Sequence, residues 1–389
     1  SITSNRFSLS AGMPLYNGNR INATVKRSRA ELEAGRQDLK LSEIQQLNAV
    51  SEAYLNVLLA LDQLEATRKS REITENQLRQ TDKLIEAGVV PENDRLNILA
   101  QLARDEQGVI AAGNNLEAAR IGLKGLLNLP GDYVLTIERP EVEIPGDIDL
   151  DYFTFSRLYQ NGLQTAPQLL SSKARVESAK QGVPIARSSM LPSLSVFGSL
   201  FSNYSSRTQD AMLTGFGFSA PQPVIINGEE ALVQFPQQNF EFSDVPYFDQ
   251  IQDNFGQQFG FRLNLPIFNQ YSFQSNLQRA KLNRLNAELS YQQSLQTFSN
   301  DVQQTLAAAK AAQARYRVAQ LSLDAQQMAF DNAEKRFQLG AINSIDYTTA
   351  KVALEQARLE IIQAKYNYLY QLKTLEWSMS DFSEPIKFF

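Results

Sequence analysis

Between Tyr271 and Leu339 the chain runs 69 residues without a glycine or a proline, and between Asn19 and Ala87 it does so again with only Gly35 interrupting. At 1.5 Å per residue each stretch makes a helix of about 100 Å, roughly three times the hydrocarbon thickness of a bilayer. Helices in ordinary globular domains average about 11 to 12 residues. A chain with two such rods is built to span a distance.

The two stretches share one frame. Pro14 in Met13-Pro14-Leu15-Tyr16-Asn17 answers Pro266 in Leu265-Pro266-Ile267-Phe268-Asn269, and Gly88 answers Gly340, each pair 252 positions apart (266 − 14 and 340 − 88). The same shift puts Phe7 on Phe259, Lys83 on Lys335, Asp94 on Asp346 and Asn115 on Asn367. An ungapped register of this length implies an internal duplication. Each copy reads as a strand, a proline junction, a very long helix, a glycine turn and a shorter helix. The expected repeats are 1–151, ending in a linker, and 152–389. The second opens with a helix from Pro167 to Gln181 and a strand after Met190-Leu191-Pro192. The first has no counterpart to these, so the duplication predicts a helix and a strand before Ser1.

Composition works by exclusion. The 389 residues include no His and no Cys, which removes the commonest general base, the commonest metal ligand and every thiol nucleophile. No enzyme activity, metal or cofactor is expected. A net charge of −5, from 37 basic and 42 acidic residues, offers no basic excess to nucleic acid. No apolar run reaches the roughly 18 residues of a membrane-spanning helix.

The strands point to a membrane by another route. From Gln258 to Ile267, Phe259, Phe261, Leu263, Leu265 and Ile267 fall on one face against Gln258, Gly260, Arg262 and Asn264 on the other. The first copy repeats this with Phe7, Leu9, Ala11, Met13 and Leu15 against Ser8, Ser10 and Gly12. About ten alternating residues is the length of a tilted strand crossing a bilayer, and closed barrels are the only sheets that satisfy every backbone group in lipid. A half-buried strand of a soluble sheet alternates in the same way. Here, however, each strand leads through a proline into a helix too long to fold back over it. Three visible strands, Asn5–Leu15, Pro192–Tyr204 and Gln258–Ile267, plus the missing one make four per chain. Four cannot close a pore, so several copies must share a barrel, and three copies would give twelve strands.

Phe197 and Phe201 spoil the alternation of the middle strand, falling opposite Leu194, Val196 and Leu200. Tyr16, Phe268, Tyr271 and Phe273 gather where strand becomes helix, as in an interfacial aromatic belt or a packed bend. Residues 205–255, rich in Gly, Pro, Phe, Asn and Gln, read as a long extracellular loop.

In the second long stretch Leu295, Val302, Ala309, Tyr316, Leu323, Phe330 and Phe337 recur every seven residues, with Phe298, Ala312, Ala319 and Ala333 in the companion row. The first stretch places Val50, Val57, Leu64, Leu78 and Ile85 likewise, with Arg71 as the exception. Such a repeat drives left-handed coiling against neighbours. By itself it also fits a soluble trimeric coiled-coil stalk without a lumen, which remains the alternative.

Paired copies of strand, Leu-Pro-Ile-Phe-Asn and long helix, followed by Arg336-Phe337-Gln338-Leu339-Gly340-Ala341-Ile342-Asn343-Ser344-Ile345-Asp346 and a shorter helix, resemble the TolC-like outer-membrane efflux channels. So does the passage from Pro167 through Ala179 to Leu191-Pro192-Ser193-Leu194. The resemblance implies a mainly helical chain with some β structure. Its strands, four per protomer, would form a twelve-stranded outer-membrane β-barrel in a homotrimer. That barrel would continue into a long α-helical coiled-coil barrel across the periplasm of a Gram-negative bacterium. It further implies a passive duct of a tripartite efflux or type I secretion system. The partners would be a periplasmic adaptor, an inner-membrane pump and outer-membrane lipid.

By the same resemblance the helical tips form the gate and the adaptor contact. The tips would be Gly88, Val89, Val90, Pro91, Gly340, Ala341, Asn343 and Ser344. The constriction would involve Asp346, Asp94, Ile342, Phe337 and Thr349. Threefold symmetry would make Asp346 a ring; at about 7 Å and a dielectric of about 20 each pair repels by roughly 2.4 kcal/mol, which favours cation binding. Asp94 and Asp346 also suit the first turn of a helix electrostatically. Phe337, Ile342 and Thr349 stand where the family can carry a tyrosine, an arginine and a second aspartate. Closure is therefore expected to rest on Val89, Val90 and Ile342.

Overall fold

A computed structural model describes residues 2–138, 150–226 and 229–379. Part of the linker expected in the first repeat, 139–149, and residues 227–228 of the expected loop lie outside the described residues. In chain order the elements are β1 (Ser4–Tyr16), α1 (Arg20–Glu86), α2 (Glu92–Leu126), a single 3-10 turn (Leu150–Tyr152), α3 (Phe155–Thr165), α4 (Pro167–Ser188) and β2 (Ser193–Ser205). There follow β3 (Gln209–Phe218), β4 (Gln222–Ile226), β5 (Glu229–Val233), β6 (Pro236–Asp244), α5 (Tyr247–Asp253), β7 (Gly256–Asn264), α6 (Ser272–Gln338) and α7 (Ser344–Met379). Helices α1 and α6 are each 67 residues long and begin 252 positions apart (272 − 20); α2 and α7 begin at the same offset (344 − 92). The chain forms two compact units, Ser1–Arg27 with Lys180–Asn283, and Ser28–Ala179 with Arg284–Phe389.

The first unit contains an antiparallel sheet of order β1-β2-β7. Its register sets Leu9 opposite Leu200, Met13 opposite Val196, and Val196 opposite Phe261, so one face is apolar across all three strands. That face is uncovered: Leu9 is 70% exposed and Phe259 82%. The irregular alternation of β2 has a physical reason. Phe197 lies across from Gly12 and Gly260, and Phe201 from Gly256, where an added Cβ would stand 2.3 Å from the Phe201 ring. Glycine leaves room for the ring, and the ring covers backbone that glycine would leave bare. Strand β7 stops at Asn264, short of the expected Ile267, because Asn264 already pairs with Ser193, the first residue of β2.

Residues 205–255 are largely ordered strand. β3 pairs with β6 and β4 with β5, both antiparallel, and α5 follows.

The second unit is helical, with its core in separate clusters along the rods. One joins Val57, Ala60 and Leu64 of α1 to Ala112, Leu116 and Leu123 of α2. Another joins Ile98 of α2 to Phe330 and Phe337 of α6 and Tyr347 and Leu354 of α7. The seven-residue row of α6 lies inward as expected, with Val302, Ala309, Phe330 and Phe337 buried. On α1 the buried positions move off the row of Val57 and Leu64 onto Ser70, Thr74, Gln77 and Thr81. A helix of 3.6 residues per turn drifts about 20° per heptad against a strict seven-residue repeat.

Candidate functional site at the helical tips

Both hairpins turn at a glycine in the left-handed region, Gly88 at φ 72° and Gly340 at φ 67°. At the first, Gly88 N–H donates to the Ile85 carbonyl (2.9 Å) and Val89 N–H to Leu84 (2.9 Å); at the second, Gly340 donates to Phe337 (2.9 Å) and Ala341 to Arg336 (2.8 Å). This is the Schellman pattern, which satisfies the last helical carbonyls and requires a residue without a Cβ penalty at the turn. A Cβ on Gly340 would approach Val89 Cγ1 to 3.3 Å, so the two tips lie against each other. Asn343 caps α7, its Oδ1 accepting from Asp346 N–H at 2.9 Å.

The expected site residues divide by burial. Gly88, Val89, Pro91, Gly340, Ala341 and Asn343 are exposed, Val90 is half-buried, and Ser344 is fully buried. Of the constriction set, Asp346 and Thr349 are exposed and Ile342 is half-buried. Phe337 is fully buried, packed on Tyr347 at 5.2 Å between ring centres, and Asp94 is also buried. These two pack inside the chain's own helical unit. Of the aromatic belt, Tyr16, Phe268 and Tyr271 are exposed and Phe273 is half-buried.

Asp94 and Ser344 form a tie between the hairpins that the sequence did not reveal. Ser344 Oγ donates to Asp94 Oδ1 at 2.5 Å and accepts from Asn97 Nδ2 at 3.0 Å, fixing the start of α7 to the start of α2. Further along the same helices lies a second tie. Lys351 of α7, 2% exposed, donates to Asp105 Oδ2 at 2.7 Å and pairs with Glu355. Asp105 also accepts from Thr74 Oγ1 of α1 and from Gln101 Nε2 at 2.7 Å. One carboxylate thus gathers α1, α2 and α7. Burial is the main cause that raises the Glu355 carboxyl above its ordinary range, with Lys351 opposing. Burial likewise pushes the Tyr347 phenol well up, helped by Glu334 and Glu355. Among the described residues no group of acidic side chains converges as a metal would need, and no helix is long and apolar enough to cross a membrane.

A sheet with an uncovered apolar face and, among the described residues, two unpaired edge strands, on a chain whose other unit is built of long helical hairpins, has the elements of an outer-membrane channel protein. The chain belongs to the outer membrane efflux protein family, whose model matches residues 1–129 and 158–379. It is 24% identical over 369 residues to the outer membrane protein TolC of Escherichia coli strain K12, covering 91% of this chain and 65% of that protein. To TolC of Salmonella enteritidis it is 23% identical over 370 residues, with the same coverages. The chain therefore spans about two-thirds of the length of these relatives.

The fold is similar to that of CusC, with a TM-score of 0.74 and 15% identity over 98% of this chain and 83% of that one. It is also similar to the outer membrane protein VceC of Vibrio cholerae, with a TM-score of 0.73 and 13% identity over 97% and 86%. The relatives are channel proteins rather than enzymes, and they belong to the outer membrane of Gram-negative bacteria, where this chain is placed with them.

Proposed function

We propose that three copies of this chain form an export duct, a shared twelve-stranded barrel in the outer membrane continued by a helical barrel across the periplasm. The duct is passive, and an inner-membrane pump acting through a periplasmic adaptor drives it. The observation that carries this reading is the open sheet. Among the described residues β1 and β7 each have an unpaired edge and an apolar face in the open, an arrangement that lipid and neighbouring strands together satisfy. Exposed Val318, Leu321 and Met328 on α6 likewise call for neighbours. The recurrence of elements at 252 residues supports two structural repeats, 1–151 and 152–389.

The tips gate the duct in this reading, and Asp346 forms its ring at the constriction. Without the family's tyrosine and arginine at 337 and 342, the two hairpins are held by Asp94–Ser344 and by Lys351–Asp105. The test is purification in detergent followed by recording in planar bilayers. A trimeric mass and a cation-selective pore blocked by divalent ions are the expected results. Asp346→Asn should abolish both selectivity and block, and unchanged recordings would remove Asp346 from the gate. A monomer stable without detergent would end the duct proposal.

A further inference from the structure

The β3–β6 ribbon has one apolar face and one polar face, and a bulge keeps them separate. Leu213 pairs with Phe240 and Ala211 with Phe242; the register then slips between Leu213 and Gly215, so that Phe216 pairs with Gln238 and Phe218 with Pro236. Residues directly opposite share a face, and alternate residues of one strand share it too. Phe240, Phe242, Leu213, Phe216 and Phe218 therefore all lie on one side. Without the extra residue at Thr214, whose Oγ1 donates to the Asn239 carbonyl at 3.1 Å, the last two would point the other way. The opposite side carries Asp210, Glu241, Asn239 and Gln237 with Met212 among them, while Gln209, Gln238 and Asp244 share the phenylalanine side. The apolar side is open: Phe216 is 76% exposed and Phe242 62%. Two strands alone hold poorly in water, so such a face needs cover.

We propose that the apolar face of this ribbon packs against the same ribbons of neighbouring copies of the chain. The inference rests on the trimeric reading above. Lipid fits the surface badly. Membrane-seeking faces carry Trp, Tyr and basic side chains, whereas residues 209–244 hold no Trp, Tyr, Lys or Arg, and the 205–255 segment has one Arg against seven acidic residues. A copy fits well, because Asp210 and Glu241 lie on the far side and Asp244, on the phenylalanine side, sits at the ribbon's root paired with Gln209 at 2.7 Å, so the phenylalanines beyond it meet without burying a charge.

The ribbon is also held where copies would meet. It leaves β2 after Ser205 and returns through α5 to β7, both strands of the sheet that needs copies to close. Its root is clamped: Gln250 accepts from Ser205 N–H at 3.0 Å and donates to the Val245 carbonyl at 2.9 Å, and Asn254 Nδ2 donates to the Asn203 carbonyl at 2.7 Å. A fixed root keeps three ribbons, each about 33 Å long at 3.3 Å per residue, at high effective concentration.

The chain has no cysteine, so single cysteines report cleanly. Phe240→Cys, Phe216→Cys and Asn239→Cys would each be treated in native membranes with a short bis-maleimide, and the trimer scored separately by its mass in detergent. The expected result is conversion of the Phe240 and Phe216 variants from monomer to dimer bands, with Asn239→Cys left as monomer. A trimer whose Phe240 and Phe216 variants stay monomeric overturns the ribbon inference alone. So does labelling of those cysteines by a lipid-borne reagent in place of cross-linking. A monomeric mass overturns the trimer reading beneath it.

Discussion

The α1–α2 hairpin has two kinds of interior. Around Val57, Ala60 and Leu64 it closes on Ala112, Leu116 and Leu123, apolar against apolar. Nearer the glycine turn Ser70, Thr74, Gln77 and Thr81 on α1, Asp94, Gln101 and Asp105 on α2, and Ser344 and Lys351 on α7 are buried as a polar seam beside the apolar cluster of Ile98, Phe330, Phe337, Tyr347 and Leu354. Apolar burial is non-directional and is lost in proportion to the area exposed. A polar seam depends on particular atoms being paired, yet when it parts and water enters, each group exchanges one partner for another at modest net cost. The far end is thus held by apolar burial, and the end near the turn by specific polar pairs added to its apolar cluster.

Lys351→Met tests that contrast most severely. It leaves Asp105 and Glu355 buried beside an apolar side chain, at a cost of about 3 to 5 kcal/mol. Hydrogen exchange should rise in residues 74–105 and 344–355 while amides around Leu116 stay protected. Uniform loss of protection along the hairpin would dissolve the distinction between the two ends. Val57→Ala strikes the other end, where a fully buried side chain loses two carbons, at about 2 to 3 kcal/mol with the cavity included. Its expected signature is a lower Tm of the whole helical unit without selective exposure of the tips.

The rods were legible because two stretches of 69 residues, with Gly35 the one glycine or proline in them, admit few other structures, and β1 and β7 because their alternation is unbroken. The ribbon was not, since the bulge at Thr214 interrupts period-two alternation and a Gly, Asn and Gln background reads as loop. The polar seam did leave a trace. Ser70, Thr74, Gln77 and Thr81 follow 4-3-4 spacing, but the row of Val50, Val57 and Leu64 drew attention to the apolar frame and made Arg71 look like a defect. The burial of Phe337 and Asp94 was not legible, because sequence gives position along a helix and not which side faces the next hairpin. The Asp94–Ser344 tie joins residues 250 apart (344 − 94), a pairing that no local pattern encodes.

Ser344→Ala is the gentler probe of that tie. Asp94 keeps its place but loses a buried donor, which costs about 1 to 2 kcal/mol. The expected readout is a higher open probability in single-channel records with little change in Tm. A fall in Tm without altered gating would make the tie a plain structural contact.

The smallest effects, and the most discriminating in sign, come from two carboxylates. Asp38 of α1 accepts from Ser171 at 2.5 Å and pairs with Arg175 of α4 at 2.6 Å; the Ser171 hydrogen bond is the main cause that holds its carboxyl below the usual 3.8, with Arg175 assisting and burial opposing. Glu355 is shifted the other way, raised above 4.5 chiefly by burial. A lowered carboxyl contributes stability that is complete above its unfolded value and lost as pH falls through the folded one. A raised carboxyl contributes stability that is present below its unfolded value and lost as pH rises through the folded one. Acidification should therefore loosen the Asp38 contact and relieve the seam at Glu355. Because Asp38 and Arg175 are both partly exposed, Asp38→Asn should cost only about 0.2 to 1 kcal/mol near neutrality and remove the acid-side loss. Glu355→Gln should remove the opposing trend, so that its Tm gains on the wild type as pH rises from about 4 to 7. If the two Tm curves run parallel over that interval, Glu355 is not the group through which the seam senses protons.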